Sequence, residues 1–150
     1  MEIRSVFHSI MVILFLFAAV GAHASPPIKR LEAVYACKIT NAGGAPRPPA
    51  GAPRLSVKEY LVRATAPAAA FRHIFELEVR ALNPSLPSKI YSLKRQRQVQ
   101  TAKGPVDHYR AVNSLLKESD YVIKNVIEAE MFRIEVTETE IEYTCPRSQR

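Results

Sequence analysis

Ser56-Val57-Lys58-Glu59-Tyr60-Leu61-Val62-Arg63-Ala64 (SVKEYLVRA) decides the fold class, because it reads as the helix of the chain. Ser56 and Glu59 stand at the spacing of a capping box, in which the two side chains satisfy each other's free backbone N–H groups. Val57, Tyr60, Leu61 and Ala64 follow at helical spacing, and Pro67 ends the segment after about ten residues.

Working outward, Ala33 to Thr40 (AVYACKIT) alternates so that Tyr35, Cys37 and Ile39 share a face, the pattern of a first strand. Asn41 to Pro53 (NAGGAPRPPAGAP) is too rich in glycine and proline for regular structure, which predicts an exposed loop over 41–54. From Phe71 the period is two: Phe71, His73, Phe75, Leu77 and Val79 face one way, Arg72, Ile74, Glu76, Glu78 and Arg80 the other. Asn83-Pro84 and Leu86-Pro87 mark a turn, Ile90 to Leu93 a short strand, and Gln96 to Pro105 a polar, basic loop. Further strands are expected at Tyr109 to Asn113, Tyr121 to Ile127 and Met131 to Cys145. In the last, the apolar phase passes from Phe132, Ile134 and Val136 to Ile141, Tyr143 and Cys145, so a turn or bulge must lie within Thr137 to Glu140. One early helix packed on an antiparallel sheet makes an α+β domain.

The N-terminus predicts export. Ser9 to Val20 is almost continuously apolar, Arg4 precedes it, and Ala22-His23-Ala24 has the small-x-small cleavage pattern, so residues 1–24 read as a signal peptide and 25–150 as one domain. No membrane contact is expected after its removal. In an oxidising compartment the two cysteines, Cys37 and Cys145, allow one intramolecular bridge; in a reducing one they would be free thiols. The formal charge is +7, with Lys89, Lys94, Arg95, Arg97 and Lys103 clustered in mid-chain and Glu128, Glu130, Glu135, Glu138, Glu140 and Glu142 near the end. Such a basic cluster is the footprint of a polyanion site or a solvated loop. Two widely separated cysteines and the domain's two histidines, His73 and His108, do not supply a zinc set, and the glycines form no phosphate loop, so no cofactor is expected.

Tyr35-Ala36-Cys37 after a signal peptide, a lone partner cysteine near the C-terminus, and the order strand, helix, sheet resemble the secreted RNase-like effectors of powdery mildew fungi. The resemblance implies a microbial ribonuclease-like fold and a virulence role in a plant host, through binding of host protein or RNA. It also implies where catalytic groups would stand. His73, in Phe71-Arg72-His73, matches the first histidine; the glutamate base expected near Ile90 to Leu93 is missing; Arg110 is an imperfect match for the arginine; and Asn125 stands where the second histidine would be. Asparagine cannot donate a proton as imidazolium does. The expectation is therefore a pseudo-ribonuclease, not an enzyme, with His73, Lys94, Arg95, Arg97, Lys103 and Arg110 as RNA- or partner-binding residues. An active ribonuclease and an unrelated exported binding module are the alternatives. His108 is expected in a solvated, charged turn.

Overall fold

The computed structural model describes residues 28–42, 44, 49–63, 70–115 and 117–148; the expected signal segment and residues 43 and 45–48 of the Pro/Gly-rich stretch lie outside them. Among the described residues, nine strands follow one another in the chain: β1 (Ile28–Ala36), β2 (Lys38–Ala42), β3 (Arg54–Arg63), β4 (Phe71–Arg80), β5 (Lys89–Thr101), β6 (Gly104–Val112), β7 (Glu118–Val126), β8 (Met131–Val136) and β9 (Ile141–Pro146). A single turn of 3-10 helix, Ile127–Ala129, links β7 to β8. The fold is thus nearly all β, and the expected α+β ribonuclease-like architecture with an early helix is overturned.

The stretch with helical spacing is itself a strand. Residues 54–63 form β3, fully paired with β4 from Arg54↔Arg80 to Arg63↔Phe71. Their period is two: Leu55, Val57 and Glu59 are buried along one face. The capping-box spacing was coincidental, because in a strand residues three apart point to opposite faces. Val57, Tyr60 and Val62 also favour a pleated, half-buried surface over a helix. Gln96 to Pro105, expected as a loop, is strand for most of its length: β5 continues to Thr101 and β6 begins at Gly104, so Ala102-Lys103 is the whole turn. Gly104 has φ of +91°, and a Cβ there would overlap the Glu128 carboxylate, so glycine suits the position on both counts.

All nine strands belong to one antiparallel sheet of order β1-β3-β4-β5-β6-β7-β8-β9-β2. Because β1 and β2 are consecutive, one bent strand stands at both edges of the sheet, and the sheet must curl into a half-barrel to let it do so. Cys37 is the joint. Its N–H donates to the Leu55 carbonyl, Tyr35 bridges Arg147, and the Ser148 N–H donates to the Val34 carbonyl. The Cys37–Cys145 disulfide, which spans 108 residues of sequence, holds this seam covalently. The concave face is the core: Val57, Leu77, Ile123, Phe132, Ile134 and Cys145 are fully buried there. The expected phase change is also present, since β8 and β9 are separated by a turn at residues 137–140 in which Glu140 takes φ of +53°.

Candidate functional site

At the end of the half-barrel marked by the Arg63–Phe71 pair and the β5–β6 and β7–β8 connections, the concave face becomes polar. Glu59 occupies an inward slot of β3 and is buried. It accepts from the Tyr35 hydroxyl at 3.0 Å and from Nδ1 of His73 at 2.7 Å. This leaves the His73 ring, 56% exposed, at the rim with Nε2 free of that contact. Across the mouth, buried Asp107 accepts from Nε of Arg95 at 2.9 Å and Nε2 of Gln98 at 3.0 Å. Arg147 donates to Glu130 at 2.9 Å. Beneath these groups Phe132 is an aromatic hub, with Tyr35 and Phe75 edge-on at 4.9 and 5.2 Å and Tyr109 at 6.2 Å. Burial, reinforced by Glu59, pushes the Tyr35 hydroxyl well above the usual tyrosine range, and burial, reinforced by Asp107, raises Tyr109. Both phenols therefore stay protonated, and the Tyr35 hydroxyl donates to Glu59. Among the described residues no buried side-chain polar atom lacks a partner, so the mouth is a closed hydrogen-bond network.

The convex face is organised differently. Strand pairing sets Arg97 (β5) opposite His108 (β6), His108 opposite Lys124 (β7), Lys124 opposite Arg133 (β8), Arg133 opposite Thr144 (β9), and Thr144 opposite Lys38 (β2). All lie on the side away from Ile123, Ile134 and Tyr143, which are buried in the core. At the usual separation of neighbouring strands, the row runs roughly 24 Å across the sheet. Among the described residues, Arg97, Lys124, Arg133 and Lys38 enter no salt bridge, whereas eight other ion pairs form. Like charges directly opposite one another destabilise a sheet. Burial first, then Arg97 and Lys124, hold the His108 imidazole below its ordinary pKa, with Asp107 opposing them. Alongside, Lys94 pairs across to Arg110, and that row continues through Val122 to Glu135 and Glu142. Thr40, Val122, Lys124, Arg133, Glu135, Glu142 and Thr144 line a shallow groove where the two rows meet.

The residues expected to bind together are thus divided. His73 and Arg95 stand at the concave mouth, Lys94, Arg97 and Arg110 on the convex face, and Lys103 in the β5–β6 turn, where its N–H donates to Thr101 Oγ1. A β-bulge at Gln96 makes the division: Arg95 pairs with Tyr109, which packs against Phe132, while Arg97, two residues on, pairs with outward-facing His108. Arg110 is tied to Glu118 at 2.6 Å. His108, expected in a turn, lies in β6 between two cations. Sequence reasoning missed Lys124, Arg133 and Lys38; their alternation with Ile123, Phe132 and Ile39 marks them as outward, but only the register shows that they form a row. It also missed Glu59 as the partner of His73, having spent it on the helix cap. Asn125 pairs with Asp107 on β6. Among the described residues no group of three or more His, Cys, Asp or Glu side chains is arranged to hold a metal ion. Set against known protein families, curated proteins and solved structures, the chain matches no family model, no curated protein and no solved structure.

Proposed function

We propose that this is an exported protein that acts by binding, and that its ligand is single-stranded RNA laid across the convex face. The observation that supports the reading is the row Lys38, Arg133, Lys124, His108 and Arg97, in which Lys124 faces Arg133, His108 stands between Arg97 and Lys124, and none of the four permanent cations enters a salt bridge among the described residues, with Glu135 and Glu142 confined to the neighbouring row. Such an arrangement costs stability by itself and is offset by an external anion. A duplex is a rigid cylinder, and two convex surfaces touch over a short length. A flexible single strand can follow the curvature and offer a phosphate to each cation, with the guanidinium forks of Arg97 and Arg133 matching phosphate oxygens. No base reader is required, so sequence preference should be weak.

Fluorescence anisotropy of a labelled oligouridylate at several salt concentrations tests this. With four permanent cations engaged, log K should fall against log[salt] with a slope of about −3, and Lys124→Ala should make it shallower by about 0.7. Tighter binding of a polyuronate than of RNA, or a slope indifferent to Lys124, Arg97 and Arg133, would overturn the RNA reading.

A second reading is supported by the Tyr35–Glu59–His73 chain: a buried carboxylate orienting a histidine whose second nitrogen is exposed is the arrangement of a general base. Incubation with total RNA separates the two. Under the binding reading the RNA stays intact; cleavage that is lost in His73→Ala would establish the ribonuclease.

A further inference from the structure

The centre of the cationic row is a group that can change its charge, and this bears on how the proposed RNA site is regulated. His108 faces Arg97 on β5 and Lys124 on β7. Along its own strand the charged neighbours are Arg110, already paired with Glu118, and Asp107, which points to the concave face and is held by Arg95 and Gln98. The 3-10 turn packed on the start of β6 brings Glu128 over Gly104. The residues directly opposite His108 are therefore both cations. Without ligand a proton on His108 would be the third positive charge in succession; with a phosphate lying over the row it would be attracted instead.

We infer that RNA binding on the convex face takes up a proton at His108, so that affinity rises as the medium becomes acidic. The inference rests on the RNA reading and adds the linkage to it. Any ligand that favours the protonated form must bind more tightly where that form is populated. In the free protein burial, and after it Arg97 and Lys124, hold the His108 imidazole below its ordinary pKa. A phosphate that raises its pKa by one unit changes affinity by about tenfold between the two pH limits. The effect resides in one residue. His73 lies on the concave face against Glu59, so it serves as an internal control.

The test is anisotropy of an oligouridylate carrying a pH-insensitive dye at pH 5.5, 6.5 and 7.5 and constant ionic strength, on the wild-type protein, His108→Gln and His73→Gln. Uracil does not titrate in this range, so the ligand contributes no proton. The wild type and His73→Gln should both bind about fivefold more tightly at pH 5.5 than at pH 7.5, most of the tenfold limit for a shift of one unit, and in His108→Gln the ratio of the two affinities should fall to about one. In parallel, the His108 ring resonances followed by NMR should titrate at higher pH in the complex than in the free protein. Binding equally tight at all three pH values, or a full pH dependence retained in His108→Gln, overturns the proton linkage alone. Absence of RNA binding at every pH in low salt overturns the RNA reading, and the linkage with it.

Discussion

The two faces of the half-barrel handle charge in opposite ways. At the concave mouth, Glu59 is satisfied by Tyr35 and His73, Asp107 by Arg95 and Gln98, and Glu130 by Arg147. On the convex face, Arg97, Lys124, Arg133 and Lys38 stand in register with like charges or neutral groups and enter no salt bridge among the described residues. A network that consumes its own charges contributes to fold specificity. A field left unbalanced is available to a partner, and loses a little stability until the partner arrives. On the proposed reading the inner face serves the fold and the outer one the ligand.

The sharpest way to break the inner side is at its seam. Replacing both Cys37 and Cys145 by serine should cost about 4 to 5 kcal/mol, since the bridge closes a loop of 108 residues of separation in the unfolded chain. Urea unfolding with and without reductant reads this directly. Next comes Phe132→Ala, which removes the fully buried ring on which Tyr35, Phe75 and Tyr109 pack; about 3 to 5 kcal/mol should be lost in the same assay. Glu59→Ala should cost about 1 to 3 kcal/mol, because it strands the buried Tyr35 hydroxyl without its acceptor. None of these effects requires a ligand.

Legibility followed the same division. β4 was readable because Phe71 to Val79 alternate without interruption, and the turn at residues 137–140 because the apolar phase inverts across it. β3 was misread because Glu59 fills an inward slot where an apolar residue would have completed the alternation, and its spacing from Ser56 imitates a helix cap. The far half of β5 looked like a loop because it is polar on both faces. A single unpaired residue, Gln96, then sends Arg95 inward and Arg97 outward, which no local pattern signals. The cationic row is wholly non-local: its members come from five strands, and the pairing alone aligns them.

Smaller effects should appear on the convex face. Lys124→Ala should change stability by less than about 0.5 kcal/mol, as surface substitutions do, and any change should be a gain from relieved repulsion. The pH dependence of stability is subtler. Because the folded-state pKa of His108 lies below its ordinary value, the unfolded chain takes up that proton first as pH falls. The contribution of neutral His108 is full above the ordinary histidine pKa of about 6.5 and is lost below it. His108→Gln should flatten this segment of the melting-temperature profile in the absence of RNA.

On the proposed reading RNA binds the outer face and leaves the inner face untouched. Amide chemical-shift mapping during titration with oligouridylate tests it most directly. Perturbations should centre on Arg97, His108, Lys124 and Arg133 and spread toward Lys38, with Glu59, His73 and Asp107 unmoved. Perturbations gathered at the mouth, around His73, Arg95 and Arg147, with the convex row silent, would contradict it.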